Sequence, residues 1–270
     1  MDEIVSGTTR EVLAALLADP SPAVVVSVPT ADVLRAVTDV LCEDRPTVGE
    51  TEPVRVLVTA DATIPLTGRH RDLGLTARLA ELDAADRIDV RETDPSVPTT
   101  RVVTPDRVGV VDVQDGHAYG VCGAVPEGDR IHERAITAAD AASPAEIGAP
   151  PLSTVRTELR DRFGPAVATA FDETFSTVRS RSDAGPDAAK LLLWLGGRFG
   201  LRYSEVRAFA AETGFSSRTT LSRRLSAMIE DGVLEAVPER DGEGHPTKRL
   251  RLAVDVSGDG RSDHVIHYLS

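Results

Sequence analysis

Lysine is nearly missing from this sequence. Only Lys190 and Lys248 among its 30 basic residues are lysines, and 43 acidic residues give a net charge of −13. Carboxylates hold water and keep a protein soluble where salt screens other charge effects. The composition therefore favours adaptation to high salt. A GC-rich genome that encodes arginine in place of lysine is the alternative explanation.

Cysteines and long apolar runs are also scarce. The two cysteines, Cys42 and Cys122, show neither metal-ligand spacing nor a disulfide framework, which favours a reducing compartment. No run of about 18 apolar residues exists that could span a membrane. The opening MDEIVSGTTREV lacks the basic and apolar regions of a signal peptide. We therefore expect a cytoplasmic protein with no membrane partner.

Aromatic residues and acidic charge are distributed unevenly. All six phenylalanines and the single tryptophan lie at or beyond Phe163, whereas residues 1–150 carry 13 arginines against 26 acidic residues. The Pro/Ala-rich stretch 143–151 separates the two compositions. These shifts predict an α/β regulatory domain over 1–148, a helical bridge over 151–182 and a further domain over 184–256.

The pattern of the first domain predicts a mixed sheet with flanking helices. Continuous apolar runs such as Ala23–Val28 are typical of strands buried on both faces. Asp115-Gly116 predicts a hairpin turn later in the domain. We expect the sheet to be parallel first and antiparallel last. Helices are predicted over 6–18, 30–41, 66–82 and 127–142, and strands over 23–28, 54–58, 87–90, 101–103, 107–113 and 118–121.

Motifs for catalysis are missing from the first domain. It contains no glycine-rich phosphate loop and no nucleophile elbow, and His70, His117 and His132 have no ligand partners at metal spacing. We interpret the three histidines as surface residues without a role. Asp61 could bind a ligand at the carboxyl edge of the sheet or simply cap a turn. We predict no enzyme, cofactor or metal, and leave a small-molecule effector or a regulator protein as a partner of this domain.

The predicted bridge consists of two helices, Pro151–Phe163 and Pro165–Arg181, separated by Gly164. The second helix carries an apolar stripe at helical spacing. This stripe could hold a homodimer together or pack between the two domains, and the sequence leaves both open. Its members are Val167, Phe171, Phe175 and Val178.

The C-terminal domain has the order of a winged helix-turn-helix. Helices are predicted over 186–198, 202–213 and 216–230, and strands over 233–237 and 247–254. The last helix should bury Leu221, Leu225, Met228 and Ile229, which recur at helical spacing. Gly214 breaks the chain between the second and third helices, and Gly196-Gly197 weakens the end of the first.

The exposed face of helix 216–230 is rich in arginine, which predicts that it reads the DNA major groove. Arg218 could donate hydrogen bonds to guanine, and the N–H groups of the helix N-terminus at Ser217 could donate to a phosphate. We therefore predict a sequence-specific transcriptional regulator that binds double-stranded DNA. The alternative is an adaptor whose winged helix binds another protein. The candidate DNA-binding residues are Ser217, Arg218, Thr219, Thr220, Arg223, Arg224, Arg240, Lys248 and Arg249.

Two segments, AVVVSVPTADVLRAVTDVL at 23–41 and FSSRTTLSRRLSAMIEDGVL at 215–234, resemble the haloarchaeal family of TbsP-type transcriptional regulators. The resemblance spans nearly the whole chain and implies a DNA-binding regulator of metabolic genes. The first domain more weakly resembles the phospholipase-D-like effector domains of sugar-responsive archaeal regulators. The H-x-K signature of those enzymes is absent, which speaks against hydrolysis.

Overall fold

A computed structural model describes residues 3–18, 23–42, 52–67, 72–93, 99–114, 117–181, 186–239, 247–253 and 268–269. The chain forms two compact units. Unit 1 comprises Met1–Arg71 and Arg78–Gly148, and unit 2 comprises Asp72–Ala77 and Ala149–Ser270. Each unit is described separately below.

Unit 1 is built on a mixed sheet, as predicted. Its strands are β1 (Glu3–Gly7), β2 (Val25–Val28), β3 (Val54–Val58), β4 (Ile88–Glu92), β5 (Thr100–Val103), β6 (Val108–Gln114), β7 (His117–Gly123) and β8 (Ser143–Pro144). Their order in the sheet is β1-β7-β6-β5-β2-β3-β4-β8. The neighbours β2, β3 and β4 are parallel, and every other pair is antiparallel. The parallel strands precede the antiparallel meander, which confirms the expected fold class.

Helices accompany this sheet, and all of them except the short α3 correspond to predicted helices. They are α1 (Thr9–Leu16), α2 (Ala31–Cys42), α3 (Ala60–Thr63), α4 (Leu73–Ala84) and α5 (Gly128–Ala141). Thr8 and Glu11 form a capping box at the start of α1, with Thr8 N donating to Glu11 Oε2 at 2.8 Å. The helix buries Val12 and Leu13, so the capping box and the buried apolar residues both indicate a helix that begins at Thr9.

Two predicted helices begin later than the pattern indicated. The helix predicted over 6–18 starts at Thr9, because residues 3–7 form β1 and pair with β7, more than a hundred residues away in the chain. The helix predicted over 66–82 starts at Leu73, after a 3-10 turn over Ile64–Leu66. Gln114 pairs with His117 across the predicted hairpin, whose turn residues Asp115-Gly116 lie outside the described residues.

Among the candidate polar residues of unit 1, His132 has a structural partner. His132 was interpreted as a free surface residue, but it is half-buried and its Nε2 lies 2.6 Å from the backbone oxygen of Ala23. The cap expected of Asp61 is supplied instead by Thr59, whose hydroxyl accepts from Ala62 N and donates to Pro29 O. His117 is exposed, and His70 lies outside the described residues.

Within the described ranges no group of three or more potential metal ligands comes together. The same ranges contain no helix that is both long and apolar enough to cross a membrane.

Unit 2 combines five helices with a β-hairpin in its described part. They are α6 (Leu152–Phe163), α7 (Pro165–Arg181), α8 (Ala188–Phe199), α9 (Tyr203–Glu212), α10 (Arg218–Glu230), β9 (Leu234–Glu239) and β10 (Thr247–Leu252). Buried residues from all of these elements belong to one hydrophobic core. The two helices expected to form a bridge are therefore part of the packing of the helix-turn-helix unit.

The apolar stripe of α7 lies inside this core. Val167, Phe171, Phe175 and Val178 are between 0% and 4% exposed. The ring of Phe171 lies 5.8 Å from the ring of Phe175 and 5.8 Å, edge-on, from that of Phe215. Because the chain itself covers the stripe, these four side chains offer no free surface to a second copy. Dimerisation of the protein stays a prediction, and another surface would have to carry it.

Phe171→Ala is expected to destabilise the protein by about 3–5 kcal/mol, because it empties a fully buried ring site between two other rings. The free energy of unfolding, measured by urea titration of the full chain, tests this. Ile229→Ala is the control, since that side chain is 41% exposed, and it should cost less than about 1 kcal/mol. Equal losses in the two variants would contradict the assignment of Phe171 to the core.

Candidate nucleic-acid interface

Helix α8 supports the hairpin of unit 2 at very close range. Its N-cap is Asp187, whose Oδ1 accepts from Ala189 N at 3.0 Å and from Lys190 N at 3.1 Å. A Cβ added at Gly197 would lie 2.4 Å from a methyl carbon of Leu234 on β9. The paired glycines at 196–197, which weaken a helix on propensity alone, are thus required where the hairpin packs.

The turn between α9 and α10 presents the start of α10. Gly214 adopts a left-handed conformation with φ of +70°, and Phe215 after it is fully buried. Ser217 then caps α10, and its Oγ accepts from Thr220 N at 3.0 Å. A positive φ, a buried anchor and a serine cap fix where this helix begins.

Three of the four predicted core positions of α10 are buried: Leu221, Leu225 and Met228. Ile229 was expected to join them but is 41% exposed. Met228 is the last inward-facing residue of the helix, and Ile229 lies at the margin of the buried face.

The opposite face of α10 is polar and exposed. Arg218, Thr219, Ser222 and Arg223 all lie on this face. Neither Arg218 nor Arg223 forms an ion pair with any of the residues that the structure describes. Thr220 is half-buried, and its hydroxyl accepts from Ser217 Oγ at 2.8 Å. Two guanidinium groups on the first two turns of α10 are therefore available to a ligand.

Arg224, unlike the neighbouring Arg223, forms an ion pair within the domain. Its Nη2 lies 2.6 Å from Asp187 Oδ2, and its Nε is buried without a hydrogen-bond partner among the described residues. The sequence pattern puts Arg224 at the edge of the exposed face, and the structure turns its side chain toward the start of α8. A direct phosphate contact by Arg224 would first have to break this ion pair.

Arg249 is likewise occupied, near the loop end of the hairpin. It donates to the Glu239 carboxylate from Nε at 3.0 Å and from Nη2 at 2.9 Å, and its Nη1 donates to Gly200 O at 2.6 Å. Arg202 pairs with the same carboxylate at 3.2 Å and forms a bridge with Arg249 through its backbone. Arg249 therefore attaches the two strands to the end of α8. The sequence analysis predicts a DNA contact for Arg249, but its guanidinium is occupied by these contacts.

The remaining predicted residue of the wing is Lys248, which is exposed on β10. Arg240 lies outside the described residues. Sequence reasoning missed two further exposed arginines, Arg207 on α9 and Arg251 on β10. Strand alternation could have identified Arg251, because Leu250 and Leu252 point inward on either side of it.

A helix-turn-helix with a two-stranded wing and a cationic exposed helix face defines unit 2 as a winged helix-turn-helix domain. Residues 151–269 match the family model described as transcriptional regulator TbsP-like, C-terminal HTH domain. The match confirms the resemblance over residues 151–269, the C-terminal part of the chain. The family is one of transcriptional regulators rather than enzymes, and its HTH domain implies DNA-binding regulation.

The family match begins with α6, so the family domain includes the two helices that share the core of the helix-turn-helix. No curated protein matches the chain.

Protonation of Glu239 should loosen the wing. Hydrogen bonds from Arg249, followed by those from Arg202, lower the pKa of this carboxyl below its ordinary value. The contribution of these bonds to stability is thus present above the ordinary pKa and is lost as the pH falls through the lowered one. We expect acid to broaden the NMR signals of β9 and β10 in the wild type. Glu239→Gln should remove this acid-dependent step, and an unchanged pH profile in the variant would contradict the assignment.

Proposed function

We propose that this protein is a sequence-specific transcriptional regulator that reads the DNA major groove with α10. The observation that carries the proposal is the pair of exposed arginines, Arg218 and Arg223, on a helix whose start is fixed by Ser217. The match of residues 151–269 to a family of transcriptional regulator HTH domains supports the choice of DNA as ligand.

The two arginines suit different parts of the duplex. Arg218 is the first residue of α10, and the N-terminal residues of a recognition helix face the base edges. A guanidinium there can donate two parallel hydrogen bonds to guanine O6 and N7. Arg223 lies more than one turn further along the helix and suits a phosphate, as does Lys248 on the wing. Thr219 can contact a phosphate or a thymine methyl group.

The charge distribution directs DNA to unit 2. Residues 1–150 carry 13 arginines against 26 acidic residues, so that part of the chain repels the phosphate backbone. Because unit 2 brings few cations to the phosphates, binding should release few counterions from the DNA. The affinity should then depend more on base contacts and shape than on total positive charge.

The wider role follows the family resemblance. We propose a cytoplasmic regulator of metabolic genes in a halophilic archaeon, in which unit 1 binds a small-molecule effector or a regulator protein. A homodimer would let two copies of α10 read two half-sites. The buried stripe of α7 does not supply its interface, so the pairing surface lies elsewhere on the protein.

Arg218→Ala should weaken binding to the selected site by about 1–3 kcal/mol and relax specificity at one base pair, because it removes a direct base contact. Arg223→Ala should weaken all sequences alike. The site is obtained by genome-wide crosslinking, and affinities are measured on that site and on variants of each base pair. Arg134→Ala is a matched control, since it removes an exposed arginine from unit 1. Crosslinking peaks that persist in an Arg218→Ala/Arg223→Ala double variant would favour an adaptor that reaches DNA through another protein.

The salt dependence of binding should be shallow. Each phosphate contact contributes a slope of about −0.9 to the dependence of log affinity on log salt concentration. With Arg223 and Lys248 as phosphate contacts, we expect a slope of about −2 per bound protomer, and one shallower by about 1 in Arg223→Ala. A slope of about −6 or steeper per protomer would contradict the assignment of so few phosphate contacts.

A further inference from the structure

The described residues at the far end of the chain, Tyr268 and Leu269, are attached to the beginning of α8. Leu269 is fully buried in the core of unit 2. Its backbone oxygen accepts a hydrogen bond of 2.9 Å from Asp187 N. This short segment therefore belongs to the packing of the helix-turn-helix, and the family match, which extends to residue 269, includes it.

Tyr268 links the beginning of α8 with the end of α10. Its backbone oxygen accepts from Lys190 Nζ at 2.6 Å, and the same ammonium lies 4.8 Å from the centre of its ring. Its hydroxyl donates to Asp231 Oδ2 at 2.7 Å. Asp231 is the C-cap of α10. One residue thus connects the first turn of α8 to the terminus of the candidate recognition helix.

Asp187 gives α10 a second attachment at the same place. Its backbone N–H donates to Leu269, its Oδ1 caps α8, and its Oδ2 pairs with Arg224 on α10. The helix is held at Arg224 and again at Asp231, and both contacts converge on the beginning of α8 and on the segment 268–269. Of the two exposed arginines, Arg218 lies at the other end of α10, and Arg223 lies next to the attached Arg224.

We propose that Tyr268 and Leu269 form a clasp that fixes the C-terminal end of α10 against α8, and that they are thereby positioning residues for Arg218 and Arg223. The consequence for DNA rests on the proposed function. At a rise of 1.5 Å per residue, the 13 residues of α10 span about 20 Å, so a tilt of about 5° at one end displaces the other by about 1.7 Å. Base readout tolerates only about 0.5 Å.

The residue types present suit the hydrogen bonds and the cation–ring contact of the clasp. Lys190 is one of only two lysines in the chain. A compact ammonium can donate to one carbonyl while it lies over a ring, whereas a guanidinium presents a wide planar fork. Burial, followed by the hydrogen bond to Asp231, raises the pKa of Tyr268 to about 12, so the hydroxyl remains a donor at neutral pH. Burial lowers the pKa of Lys190.

The test compares Tyr268→Phe with Tyr203→Phe in the full chain. The first removes the hydroxyl that bonds Asp231, and the second removes a hydroxyl that has no hydrogen-bond partner in the described structure. We expect Tyr268→Phe to speed amide hydrogen exchange about five-fold over residues 227–232, and to reduce the ratio of site-specific to nonspecific DNA affinity by a similar factor. Tyr203→Phe should change neither. Lys190→Met should reproduce the exchange effect, because it breaks the other side of the clasp.

The two readouts separate the clasp from the proposed function. Unchanged exchange over 227–232 in both Tyr268→Phe and Lys190→Met would overturn the clasp, whatever happens to DNA binding. Faster exchange with an unchanged affinity ratio would overturn the positioning role. Faster exchange in a protein that binds no DNA would support the attachment of α10 and overturn the assignment of DNA as its ligand.

Discussion

Burial of Phe215 is the interaction on which the candidate interface depends. The residue lies in the turn between α9 and α10, is fully buried, and sets its ring edge-on against Phe171 of α7. This anchor fixes the turn to a helix outside the helix-turn-helix itself. Ser217 follows two residues later and caps α10, so the place where Arg218 leaves the protein surface is set by a ring buried in the core. The family match at 151–269 includes α7, the helix that supplies this contact.

The arginines of unit 2 divide according to whether a carboxylate lies within reach. Arg224 and Arg249 have Asp187 and Glu239 as partners and stabilise the domain. Arg218 and Arg223 point from the face of α10 on which no described carboxylate comes within ion-pair distance. The local surroundings of each arginine, rather than the total number of arginines, identify the surface that can receive a polyanion.

The segment 268–269 extends the same reasoning to the far end of α10. Around the beginning of α8, the two carboxylates of Asp187 and Asp231 are matched by the two cations Arg224 and Lys190, and the neutral Tyr268 hydroxyl bonds Asp231. These contacts hold the C-terminal half of α10. Together with the Phe215 anchor at its start, these contacts hold α10 at both ends, so that its exposed face can present side chains in a fixed direction. The wing is fastened independently, through Arg249 and Glu239.

The amino-acid sequence by itself determined the fold class, the winged helix-turn-helix and the identity of α10, because hydrophobic period, glycine breaks and serine caps act over a few neighbouring residues. It did not place β1, whose residues form a strand only because β7 pairs with them. It put Arg224 at the edge of the exposed face but could not show that Asp187 pairs with it, or that the stripe containing Phe171 is covered. These outcomes were decided by the tertiary structure, since each depends on a partner far away in the chain: Asp187 for Arg224 and Phe215 for Phe171.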